Sequence, residues 1–112
     1  MVRKIFFYKD YFLKFYRNQE PKVQQKIEYV LDLIRFEQQV PVKFFKKLQN
    51  TADIYEVRVI TFRKSVRILC FIHDGDIIIL MNTFEKKSQK TPQKEIQLAE
   101  RLKKEYLVNK GK

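Results

Sequence analysis

Glycine and proline are scarce in this chain, at two and three residues out of 112. With so few of the residues that turn a chain cheaply, connections should be short and regular elements long. A single cysteine, Cys70, rules out an internal disulfide and suits a reducing, cytoplasmic setting. No Cys/His spacing suggests a metal site, and no cofactor motif is present, so neither group is expected. Purely apolar runs such as IIILM at 77–81 are far too short to span a bilayer. The N-terminus meets Lys9 and Asp10 before any signal-like apolar stretch develops, so neither secretion nor membrane insertion is expected. Acidic residues are also few. Thirteen against 24 lysines and arginines leave a net charge of +11.

Hydrophobic residues are abundant at 45%, with ten Phe and six Tyr, enough for one globular domain over 1–112. Residues 2–8 (VRKIFFY) read as an opening strand. Phe12, Phe15 and Tyr16 then fall on one helical face. Val23, Ile27, Val30 and Ile34 recur at steps of four, three and four and predict an amphipathic helix over 20–38, with Pro21 in its first turn. After Pro41, VKFFKKL is expected as a short helical turn. Strands follow at 54–60, 66–72 and 76–84, with a closing helix over 92–107. The fold class is therefore α+β: a small antiparallel sheet, built from the N-terminal strand and a three-stranded meander, with helices packed on one face.

Asp74-Gly75 is the strongest hairpin signal in the chain. A two-residue turn there pairs His73 with Asp76, Phe71 with Ile78 and Arg67 with Asn82. The preceding connection is expected to set Arg58 opposite Leu69 and Ile60 opposite Arg67. Alternation then gives one apolar face: Tyr55, Val57, Val59, Val66, Ile68, Cys70, Ile72, Ile77, Ile79 and Met81. The other face carries Arg58, Arg67, Asn82 and Phe84 among Ile60, Leu69, Phe71, Ile78 and Leu80.

An arginine inside an apolar strand must meet a carboxylate or face an anion, because burying its charge alone costs several kcal/mol. Glu56, two residues from Arg58 on the same face, is the obvious internal partner. Two arginines against one carboxylate still leave positive charge over. Val57 to Ile72 contains four basic residues and no acid, and Phe84 is followed by Lys86, Lys87 and Lys90. Such one-sign clustering on strands and an adjoining loop favours a polyanion partner, either nucleic acid or an acidic protein segment.

These residues carry a resemblance. The segment from Ile54 to Tyr106, with YEVRV, VRILCFI and FEKKSQKTPQKEIQLAERLKKEY, resembles the RelE-superfamily toxins of type II toxin–antitoxin modules, and among them the phage-derived, HigB-like branch. The N-terminal half matches by element order. The resemblance implies a RelE-like fold with an open basic face. It implies a ribosome-dependent mRNA endonuclease acting without a metal and held silent by a cognate helix-turn-helix antitoxin. Carried over by position, Arg58, Arg67 and Lys87 are the expected catalytic residues. Asn82, Phe84, Lys86 and Lys90 are the expected RNA-binding ones. Relatives often carry a His-Gly pair before the phenylalanine, where this chain has Asn82 and Thr83.

His73, the lone histidine, is some 20 Å of strand from Arg67 and reads as a hairpin flank. Cys70 falls on the apolar face and reads as a core residue. Two other functions stay open: a ParE-like toxin that binds DNA gyrase, and a non-catalytic basic nucleic-acid-binding module or inactive toxin remnant.

Overall fold

A computed structural model describes residues 1–110. In chain order the elements are β1 (Lys4–Phe7), α1 (Tyr11–Arg17), α2 (Pro21–Phe36), β2 (Phe45–Lys47), β3 (Tyr55–Ile60), β4 (Ser65–His73), β5 (Ile77–Glu85) and α3 (Gln93–Lys110). The strands form one five-stranded sheet in the order β1-β5-β4-β3-β2. The α+β class stands, and the sheet is mixed rather than purely antiparallel. β1 lies parallel to β5, with Lys4 opposite Ile77 and Phe7 opposite Leu80. That pairing requires a crossover, which α1 and α2 supply. The Arg3 guanidinium ties the start of β1 to the end of α2 by donating to the carbonyls of Ile34, Glu37 and Gln38. These carbonyls lie in the last turn of α2 and just past its end, where a cation is also favoured by the helix dipole.

The amphipathic pattern of α2 is realised as read: Val23, Ile27, Val30, Leu31 and Ile34 are buried. They pack with Phe12 of α1 against Val57, Val59, Val66, Ile68, Cys70, Ile78 and Leu80. The expected helical turn at VKFFKKL is confined to residues 42–44, and Phe45–Lys47 is strand instead. One turn closes early, with the amides of Phe44 and Phe45 donating to Pro41, and β2 then pairs antiparallel to β3. Phe45 stacks on Tyr55 at 5.1 Å between ring centroids, a strand-to-strand contact that a local reading of FKK cannot supply.

The second correction concerns register. The β4–β5 hairpin turns through three residues, Asp74 to Asp76, so that His73 pairs with Ile77 and Phe71 with Ile79. Asp74 and Gly75 both take positive φ (51° and 84°), which a glycine and a short polar side chain tolerate. This one-residue slip flips the strand. Ile78 and Leu80 face α2, while Ile79 and Met81 face the opposite way. A β-bulge then places Met81 and Asn82 opposite Leu69, between the pairs Ile68–Thr83 and Cys70–Leu80. The two offsets sum to two residues, so Phe84 lies opposite Arg67 and keeps the face expected for it. On the β3–β4 side, Arg58 pairs with Arg67 and Ile60 with Ser65, again two residues from expectation and therefore on the expected face.

α3 is a third departure. It crosses the face opposite α1 and α2, burying Ala99 and Leu102 against Ile54, Leu69, Phe71, Ile79 and Met81. Helices thus cover both faces of the sheet, and only the end of the second face beyond α3 is left for the charged side chains. Among the described residues no helix is long and apolar enough to cross a membrane.

Candidate functional site

At that end of the sheet two cross-strand rows lie side by side. Lys46, Glu56 and Leu69 form one row across β2, β3 and β4, and Arg58, Arg67 and Phe84 form the next across β3, β4 and β5. Like charges placed directly opposite repel. Glu56 compensates by standing between them, with Oε1 at 3.5 Å from Arg58 Nε and 3.4 Å from Arg67 Nε. Glu56 and Arg67 are buried at 2% and 4% exposure, whereas the Arg58 side chain is 26% exposed. Arg67 is therefore the internal counter-ion and Arg58 the group presented to solvent.

Each buried charge has further supports. Arg67 Nη1 donates to Ser65 Oγ at 2.8 Å and to the Val66 carbonyl at 3.1 Å. The Thr91 hydroxyl donates to Glu56 Oε2. Thr91 thus turns inward to the carboxylate as the chain enters α3, so the helix start and the charged site share one side chain. The Nε atoms of Arg58 and Arg67 are buried and lack a well-directed hydrogen bond. Burial lowers the Arg67 pKa from its ordinary value; Glu56 opposes the shift and Arg58 adds to it. A guanidinium remains charged at neutral pH under such pressure.

Lys86 completes the cluster. Its amide donates to the Ser65 carbonyl at 2.7 Å, which brings the lysine-rich loop back to the start of β4. Partial burial lowers its pKa below 10.5. Arg67, Arg58 and Lys46 push it the same way, and Glu56 pushes against them. Arg58, Arg67 and Lys86 against one carboxylate leave the cluster with two positive charges in excess. A partly buried cluster with excess positive charge and donor-only cations is suited to the oxygens of an anion.

The other residues singled out in the sequence fall in different places. Phe84 is half-buried and packs on the α3-side core. Asn82 is 3% exposed, and its Nδ2 donates to the Glu95 carbonyl at 3.0 Å and to Glu95 Oε1 at 2.9 Å, pinning the first turn of α3. Its Oδ1 is buried without a partner. Lys87 and Lys90 are exposed on the loop. His73 is at the far hairpin, stacked edge-on with Tyr106 at 5.4 Å. Cys70 is fully buried, and burial pushes its thiol pKa far up. Two contributors escaped the sequence reading. Lys46 was hidden because residues 42–48 were expected to be helical, and Thr91 because a threonine before proline reads as an ordinary helix entry.

A family model described as "Phage derived protein Gp49-like (DUF891)" matches residues 14–104. No curated protein matches the chain. Among solved structures, the crystal structure of the archaeal RelE–RelB complex from Pyrococcus horikoshii OT3 is similar, with a TM-score of 0.60 at 18% identity, covering 80% of this chain and 100% of that one. The structural likeness is one of fold, and the family match spans the second helix, the meander and most of α3. With its charged residues gathered at one end of a RelE-like sheet, the chain belongs to the phage-derived Gp49-like family.

Proposed function

We propose that this protein is the toxin of a toxin–antitoxin pair and acts as an mRNA endonuclease. One observation carries the reading: a solvent-facing Arg58 is held beside Lys86 by a buried Glu56–Arg67 pair, with positive charge in excess. In such cleavage a ribose 2′-hydroxyl attacks the adjacent phosphorus, and the bond from phosphorus to the 5′ oxygen breaks. The products are a 2′,3′-cyclic phosphate and a 5′-hydroxyl, with one proton leaving the nucleophile and one reaching the leaving oxygen. The protein need not form a covalent bond. It must hold the strand in line and stabilise charge on the non-bridging oxygens.

Arg58 suits the second task, with Arg67 and Glu56 fixing its position. Partial burial and the neighbouring cations lower the Lys86 pKa, and we assign it a part in proton transfer beside phosphate contact. Lys87 and Lys90 on the exposed loop contribute phosphate contacts or, for Lys87, a proton. Phe84 offers a ring edge to an unstacked base next to Arg67. Asn82 acts indirectly, by anchoring α3. The antitoxin partner is inferred from the similar RelE–RelB complex. It would cover a face this basic with acidic or apolar residues.

The test is induced expression of wild type beside Arg58→Ala/Lys86→Ala, reading growth and new mRNA 5′ ends. Arrest with new ends, both lost in the double variant, supports the nuclease. Arrest without cleavage, together with inhibited gyrase supercoiling, would transfer the protein to the gyrase-binding class. A folded protein that causes neither would be a binding module.

A further inference from the structure

The β3–β4 connection, residues 61–64, plays no part in the cluster described above, yet it presents the most exposed large apolar side chain of the described residues: Phe62, at 102%. The loop holding it is tightly built. The Thr61 amide donates to the Lys64 carbonyl at 2.8 Å, the Lys64 amide donates to Thr61 Oγ1 at 3.0 Å, and Lys64 Nζ donates to Gln19 Oε1 at 2.8 Å. These bonds fix the backbone that carries the Phe62 ring and leave the ring itself in solvent. Beneath lies a cleft of about 660 Å³, bounded by Phe62, Arg63 and Thr61 on one side and by Glu20, Pro21, Lys22 and Val23 on the other. Neither Arg63 nor Lys22 forms an ion pair among the described residues.

The loop is also close to the charged site. Ile60 and Ser65 close the hairpin two residues beyond the Arg58–Arg67 pair, or about 7 Å along the strand. Ser65 in turn receives the Lys86 amide. The loop leans towards the start of α2, where Lys64 meets Gln19, so an RNA strand with one phosphate at Arg58 reaches Phe62 by rounding the end of the β3–β4 hairpin. A wholly exposed ring on a hydrogen-bonded loop, flanked by unpaired cations, is the arrangement on which unpaired bases stack while their phosphates are held.

We propose that Phe62 is a base-stacking residue and that Arg63 binds an adjoining phosphate, extending the RNA site onto the β3–β4 loop. This rests on the nuclease reading above, since it needs RNA to be the polyanion at Arg58. The cations favour RNA over an apolar protein segment as the occupant.

The experiment uses a short single-stranded RNA, 2′-O-methylated to block cleavage and carrying 2-aminopurine at successive positions. Wild type, Phe62→Ala, Phe62→Tyr and Arg58→Ala/Lys86→Ala are compared. Because Phe62 touches little, Phe62→Ala should fold normally, with an unchanged circular dichroism melt. The expected result is about tenfold weaker binding with loss of fluorescence quenching at one position, and recovery of both in Phe62→Tyr. Unchanged affinity and quenching in Phe62→Ala, with binding still lost in Arg58→Ala/Lys86→Ala, would overturn the stacking role alone and leave the ring to a protein partner. No binding of RNA by wild type, with or without added ribosomes, would overturn this inference together with the nuclease reading.

Discussion

Arg58 and Arg67 face each other across β3 and β4, and the single carboxylate of Glu56 bridges both guanidinium groups at about the same distance. The bridge divides labour between two residues that look equivalent in the sequence. Arg67 is sealed in with Glu56, and Arg58 reaches solvent.

Replacing the two arginines should therefore have different consequences. Arg67→Ala leaves the buried Glu56 with the Thr91 hydroxyl and one weakly placed cation, Arg58, and should cost about 3 kcal/mol of folding stability. Arg58→Ala removes a partly exposed group and should cost under about 1 kcal/mol while abolishing RNA cleavage. Urea denaturation of both variants, beside Glu56→Gln and the Glu56→Gln/Arg67→Ala double variant, checks this. A coupling energy near zero between Glu56 and Arg67 would show that the pair is not the support described.

Lys86 makes the protein's stability depend on alkaline pH. Its folded pKa lies below the ordinary 10.5, chiefly through burial and then through Arg67. The charged form is disfavoured in the folded state, so the penalty is fully present at neutral pH. It is relieved as pH rises from the folded pKa towards the unfolded one. Lys86→Met should accordingly raise the urea midpoint at neutral pH and flatten its upward drift in the alkaline range. A midpoint that falls at neutral pH in this variant would mean that Lys86 is held favourably instead.

Cys70 should be inert in the native protein. It is fully buried, and its thiol is pushed far above the ordinary value, so almost no thiolate is available to react. Ellman's reagent should label it only after denaturation, at the rate of unfolding. Fast labelling in native buffer would contradict the packing described for β4.

Leu102 couples α3 to the sheet through the core it shares with Leu69, Phe71 and Met81. Leu102→Ala should cost about 3 kcal/mol. Hydrogen exchange should rise first in α3, and RNA cleavage should fall as well, because Thr91 at the entry to this helix holds Glu56. Cleavage at wild-type rate from a protein with a loosened α3 would separate the helix from the site.

The hydrophobic periods carry most of the architecture. Val23, Ile27, Val30 and Ile34 mark α2, and the runs around Val57, Ile68 and Ile79 mark the meander, because burial of one face imposes a repeat that a reader can see. The charged residues within apolar runs are equally legible: an arginine there needs a partner or a ligand, and Glu56 is close enough in sequence to be found. β2 was not legible, since FKK becomes a strand only because Tyr55 and Val57 offer it a neighbour.

Register was lost between the hairpin turn and the bulge for a related reason. Ile77 to Met81 is apolar on both sides, so no polar residue marks which side faces which helix layer, and the turn length alone decides. By itself the sequence determined the composition of the core, the order of most elements and the excess of positive charge at one end of the meander. Tertiary structure decided which arginine is buried, that Lys46, Thr91 and Lys86 join Glu56 while Lys87 and Lys90 stay in solvent, and that α3 covers the second face. Those outcomes depend on contacts between residues tens of positions apart, whose energies have no local signature in the chain.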